Sequence, residues 1–218
     1  MAKYKLLSQV ASIVLIGSFN PAIFHPEWLL RHNLVSPDDN ESAELEVVHN
    51  DISKFNLDWL SIEVLRNKFV AKTNDPSKFN PLRDLIISVF NILDHTPITQ
   101  LGMNLNLNYT IENEDDWHKI GDTLAPKEIW NKSLPKRVGL MSLQVICDRD
   151  DDYDGNFNVT LQPTKLEKHG LTCIVNNHIE ISEEIKKPAT SNILSELWES
   201  SVDTARKLSE TTIREIIE

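Results

Sequence analysis

Between Ile98 and Ile111 apolar and polar side chains alternate with a period of two: Leu101, Met103, Leu105, Leu107 and Tyr109 fall on one side, Asn104, Asn106 and Asn108 on the other. Successive side chains of a strand point to opposite faces, so this stretch reads as a long strand with one face in a core and a polar face opposite. A chain organised around such a strand needs a sheet, and something apolar to cover one side of it.

Other segments supply the rest of that sheet. Val10–Ser18 (VASIVLIGS) is β-branched and continuous, the pattern of a strand buried on both faces. Glu44–His49, Phe55–Leu65 and Phe69–Thr73 alternate, with Arg66-Asn67-Lys68 as a tight turn between the last two, which predicts an antiparallel meander. Val138–Asp148, Asn156–Gln162 and Leu171–Ile181 add further strands, the first two joined through an aspartate-rich turn. Ser36–Ser42 reads as a polar loop and Thr123–Pro135 as an ordered surface loop.

The period changes between Phe79 and Leu93. Phe79, Leu82, Leu85, Ile86, Val89, Phe90 and Leu93 share one face at 3.6 residues per turn, and Ser77 is placed to cap the helix. A short helix with Pro26 in its first turn carries Trp28, Leu29 and Leu34, and Glu114–Ile120 forms another with an acidic start. Nothing breaks a helix from Thr190 to Glu218, a span of about 43 Å. Lys186-Lys187-Pro188 marks the boundary before it, dividing an α+β domain (1–187) from a C-terminal helix (188–218) that packs on the domain or on a partner. The predicted fold is α+β: a largely antiparallel sheet of about seven or eight strands, helices on one face, and a long C-terminal helix. No internal repeat is visible.

Composition narrows the function. With 33 acidic and 22 basic residues the net charge is −11, which repels phosphate backbones, and no Lys/Arg run with interleaved aromatics offsets it. Nucleic acid is not an expected partner. Six glycines, without G-x-G-x-x-G or a P-loop, remove the glycine-rich phosphate cradles. Polar residues interrupt the apolar N-terminal stretch, so neither a membrane span nor a signal peptide is predicted, and the cytoplasm is the expected compartment. Cys147 and Cys173 match no metal or redox motif and read as buried, reduced thiols.

Four constellations carry candidate chemistry. Asp150-x-Asp152-x-Asp154-Gly155 copies the start of a calcium-binding loop, but the twelfth position is Leu161 and the flanks are strands, so a solvated hairpin tip is the simpler reading. Glu114, His118 and Asp122 sit at i, i+4 and i+8 on one helix face, a set able to hold a divalent metal or, as on many helices, only to pair with one another. Asn104, Asn106 and Asn108 offer a row of donors and acceptors for a ligand or partner, or simply face water. Trp198, Ile213, Ile216 and Ile217 are apolar positions of the last helix, where an exposed terminal turn would mark a partner or dimer contact. No nucleophile elbow, H-E-x-x-H or Cys–His neighbour announces an enzyme.

Thr96-Pro-Ile-Thr-Gln-Leu-Gly102, Trp117-His-Lys-Ile-Gly121, Leu124-Ala-Pro-Lys-Glu-Ile-Trp130 and Asp152-Tyr-Asp-Gly155 resemble an uncharacterised group of bacterial proteins with "TPVTxLG" and "LAPKExW" segments. The resemblance implies an α+β fold and brings no activity or catalytic residue. The expected function is a non-catalytic protein–protein interaction subunit or adaptor, acting on a protein partner or a second copy, with no cofactor beyond an adventitious divalent cation. A metal- or ligand-binding enzyme and an acidic mimic that occupies a basic nucleic-acid site are the alternatives.

Overall fold

The computed structural model describes residues 3–136, 138–181 and 190–218. Among these residues nine strands form a single antiparallel sheet: β1 (Tyr4–Gly17), β2 (Glu44–Val48), β3 (Ile52–Asn56), β4 (Ser61–Leu65), β5 (Lys68–Thr73), β6 (Ile98–Ile111), β7 (Leu143–Asp148), β8 (Gly155–Thr164) and β9 (Gly170–Glu180). Their order is β2-β3-β4-β5-β1-β6-β9-β8-β7. The helices are α1 (Pro26–Arg31), α2 (Pro37–Glu41), α3 (Phe79–Ile92), α4 (Glu114–Leu124), α5 (Lys127–Asn131) and α6 (Thr190–Ile217). The fold is α+β, as the sequence predicts.

The ninth strand comes from dividing the expected Phe55–Leu65 strand in two. Leu57 and Leu60 exchange backbone hydrogen bonds of 2.7 and 3.3 Å around Asp58-Trp59, so alternation that continues in the sequence hides a tight hairpin between β3 and β4. Ser36–Ser42 is a helix rather than a loop, because Ser36 and Asp39 cap each other's backbone N–H groups in a capping box. The 123–135 stretch contains α5. Ser77 does not cap α3; it lies in a 3-10 turn whose own cap is Asp75. The expected boundary at Lys186–Pro188 lies outside the described residues.

The chain runs the same route twice. A 14-residue strand (β1, β6) is followed by short helices, then by a meander whose last strand (β5, β9) returns to pair with the first, then by a longer helix (α3, α6). β1 and β6 pair antiparallel with Ala11 opposite Leu105, equivalent positions of the two strands, so a pseudo-two-fold passes through the sheet there.

One face of the sheet is the core. Ala11, Ile13 and Leu15 of β1 point the same way as Leu101, Leu105 and Leu107 of β6 and Cys173, Val175 and Ile179 of β9, and all are buried. α3 and α6 pack on this side, where Phe24 stacks on Phe69 and Phe90, and Ile120 of α4 joins the same cluster. Tyr109 of β6 meets Ser209 of α6 at 2.7 Å, and burial pushes its phenol up to about 12. The other side of β1 (Val10, Ser12, Val14, Ile16) is half-buried, so β1 is not covered on both faces as its sequence suggests. No helix of the described residues is long and apolar enough to cross a membrane.

The end of α6 is not an exposed apolar surface. Ile213 and Ile217 are fully buried, Ile216 packs against the same cluster, and Trp198 is 1% exposed. Lys3 donates to the carbonyl of Ile217, closing the helix C-terminus with a cation. Cys173 is buried, which pushes its thiol up to about 12, whereas Cys147 on the edge strand β7 is exposed, contrary to expectation.

Candidate functional site

The strand registers assemble the asparagines into a lattice that β6 alone does not show. Ser12, Asn104, Asn176 and Asn158 stand opposite one another across β1, β6, β9 and β8. The next row is Val10, Asn106, Ile174 and Thr160, and the one after it Ser8, Asn108, Thr172 and Gln162. All project from the face opposite the helices. Directly opposed residues lie about 4.5–5.5 Å apart at Cβ, so each row is a contiguous surface.

Those three rows hold no charged residue in a chain that is 25% charged. Asn108 donates to Ser8 (3.0 Å) and accepts from Thr172 (2.7 Å), which accounts for its burial. The side-chain oxygens of Asn106 and Asn176 are covered yet accept no hydrogen bond among the described residues. Amide oxygens left in that state cost free energy unless a partner reaches them. Gly102, beside His178 in the adjoining row, leaves a dip against which the Asn104 and Asn176 side chains lean. Towards β3–β5 the face becomes charged, with Lys54 paired to Glu46 at 2.6 Å beside a hollow of about 380 Å³ that Asn56, Trp59 and Lys72 also line.

The other predicted residues are placed differently. Glu114 stands 3.6 Å from His118 and 4.0 Å from His169, a residue the helix spacing did not suggest, while Asp122 turns to Lys127. Glu114, His118, Asp122 and Lys127 line an open hollow of about 740 Å³ with the chain after α5. Among the described residues no three His, Cys, Asp or Glu side chains converge as a metal-binding set.

Asp150, Asp152 and Asp154 sit exposed in the β7–β8 turn, and Arg149 organises that turn. Its guanidinium bonds Asp151 and the buried Asn177, and lies 5.1 Å over the Phe157 ring. The bond from Arg149 holds the Asp151 carboxyl below its ordinary range. Asn177 in turn donates to Ser201 of α6 (2.6 Å). Arg149→Ala is expected to cost about 1–3 kcal/mol in a denaturant titration, since it leaves the Asn177 oxygen buried without its donor. A loss within about 0.5 kcal/mol, the level of an ordinary surface change, would show that this network does not join the turn to α6.

Comparison with known protein families and with curated proteins finds none that matches this chain.

Proposed function

We propose that this chain is a non-catalytic protein-interaction subunit whose recognition surface is the uncovered face of the sheet, centred on Asn104, Asn106, Asn158 and Asn176. One observation carries the reading: twelve neighbouring cross-strand positions, in three rows of four, are free of charge on a protein of which a quarter of the residues are charged. Solvated sheet faces ordinarily carry lysine and glutamate, whereas the centres of protein interfaces are depleted of them. Val10 and Ile174 supply apolar area between the amides.

Recognition by such a surface has little Coulombic content, so complex formation should tolerate salt. Asn106→Lys with Asn158→Lys places two charges on the face from strands that are not neighbours, where the long side chains reach water. Affinity capture from the native host should return a stoichiometric partner with the wild type at low and high salt, and lose it with the double variant. Capture unaffected by the two lysines would place recognition elsewhere.

The hollow beside Glu114 and His118 supports a second reading, a small polar ligand held between α4 and the segment after α5. A ligand identified by native mass spectrometry and lost in His118→Ala would favour it.

A further inference from the structure

Among the described residues β2 and β7 are the outer strands of the sheet, and each presents there a row of N–H and C=O groups that no neighbouring strand pairs, a template for another strand. The two edges are defended differently. β2 carries Glu44 and Glu46, and its ladder with β3 is broken by a register shift between Leu45 and Val47. Charge and irregularity are the devices that keep sheet edges from pairing. Most of β7 has neither: Leu143–Cys147 contains no charge and no proline, the one charge being Asp148 at its end, and its pairing with β8 runs unbroken from Leu143 to Asp148. Val145 and Ile146, on opposite faces, are 52% and 64% exposed.

The two ends of β7 also differ in charge. Val138 and Leu140, on the chain leading in, pack near Pro163 and Leu171 at the Leu143 end, and the exposed Lys132 and Lys136 precede them. The turn leaving the other end carries Asp148, Asp150, Asp151, Asp152 and Asp154 against the single Arg149.

We propose that β7 pairs antiparallel with β7 of a second copy of this chain, about a two-fold axis near Val145 and Ile146. Such an axis sets the aspartate turn of each copy towards the lysine-bearing approach of the other, twice. Parallel pairing would set the turn against itself in a protein already at −11. The contact is isologous and closes as a dimer, and the guarded β2 edges stop the sheet from growing further. The two sheets become continuous with their open faces on the same side, and the pairing itself does not depend on what that face binds.

Sedimentation of the full chain tests this. The wild type should run at twice 24.9 kDa. Val145→Lys and Ile146→Lys should each weaken self-association by roughly tenfold or more, while Leu45→Lys on β2 leaves the dimer intact. Two variants are used because either alone is dispensable should it lose its cooperative melt. In hydrogen exchange the β7 amides should be protected at high concentration and open on dilution. A bifunctional thiol reagent of about 15 Å reach should join the two Cys147 residues, which lie two positions apart along the paired strands for an axis at Ile146 and four for one at Val145, in the wild type and in Leu45→Lys but in neither β7 variant. A monomer with fast-exchanging β7 amides, or a dimer that survives both lysines, would overturn the proposal. A monomer whose β7 becomes protected only on adding a foreign protein would overturn it as well, by making that protein the occupant.

Discussion

Trp198→Ala is expected to lower the unfolding free energy by about 3–5 kcal/mol, the largest stability effect of any single truncation on α6. The indole is 1% exposed in the same cluster as the sheet's inward side chains, so its removal leaves a cavity between helix and strands that the core closes only in part. A domain of this size shifts its Tm by about 2–4 °C per kcal/mol, so the melt should move down by roughly 6–20 °C. Trp198→Phe separates packing from polarity. The indole N–H is buried without an acceptor among the described residues, so phenylalanine keeps most of the packing while removing an unsatisfied donor, and should recover most of the loss. Lys207→Ala, on the exposed side of α6, should stay within about 0.5 kcal/mol. If Trp198→Ala behaved like Lys207→Ala, α6 would be a detachable appendage rather than part of the core.

Gly155→Ala is the second large effect. Gly155 opens β8 at φ +145°, a conformation that side-chain-bearing L residues rarely adopt, and a Cβ there would overlap the carbonyl oxygen of His178 in the neighbouring strand. Backbone strain alone is worth about 1–3 kcal/mol, and relieving the overlap must push β8 away from β9. The register Gly155–Ile179 starts the β8–β9 ladder, so the damage should concentrate in the β7–β8 hairpin. Hydrogen exchange should show faster exchange of the β7 and β8 amides than of β1 and β6, with calorimetry reporting the total. Gly139, where an added Cβ meets nothing within 4 Å, is the matching control. Equal effects at the two glycines would remove the steric explanation.

The sequence carried the fold where burial is one-sided and local. β6 begins and ends where its alternation does, and α3 ends one residue short of the expected Leu93, because the 2.0 and 3.6 periods are direct records of which side faces the core. β1 starts six residues earlier than its apolar run. Lys5, Ser8 and Gln9 hide that part, which is strand because β6 pairs with it as far as Tyr4–Ile111. The topological repeat leaves almost no trace in residues: aligned end to end, β1 and β6 share only Leu7 with Leu101. What the two strands have in common is inward apolarity, which many residues satisfy.

The candidate face was half legible. Asn104, Asn106 and Asn108 announce themselves on one strand, but Asn158 and Asn176 become their neighbours only through long-range registers that no local pattern encodes. The apolar end of α6 shows the converse failure. Ile213 and Ile217 lie at the chain's last turn, where fraying is common, yet the tertiary contacts of that turn bury them.

The central claim is that the uncharged rows of the sheet's open face are what the protein binds with. The most direct measurement is quantitative mass spectrometry of the partner captured from the native host by the wild type, by the Asn106→Lys/Asn158→Lys double variant, and by Lys207→Glu on the opposite side of the molecule. The partner should be retained at high salt by the wild type and by Lys207→Glu, and fall roughly tenfold or more with the double variant at an unchanged melting temperature. Equal capture by all three proteins would contradict the claim.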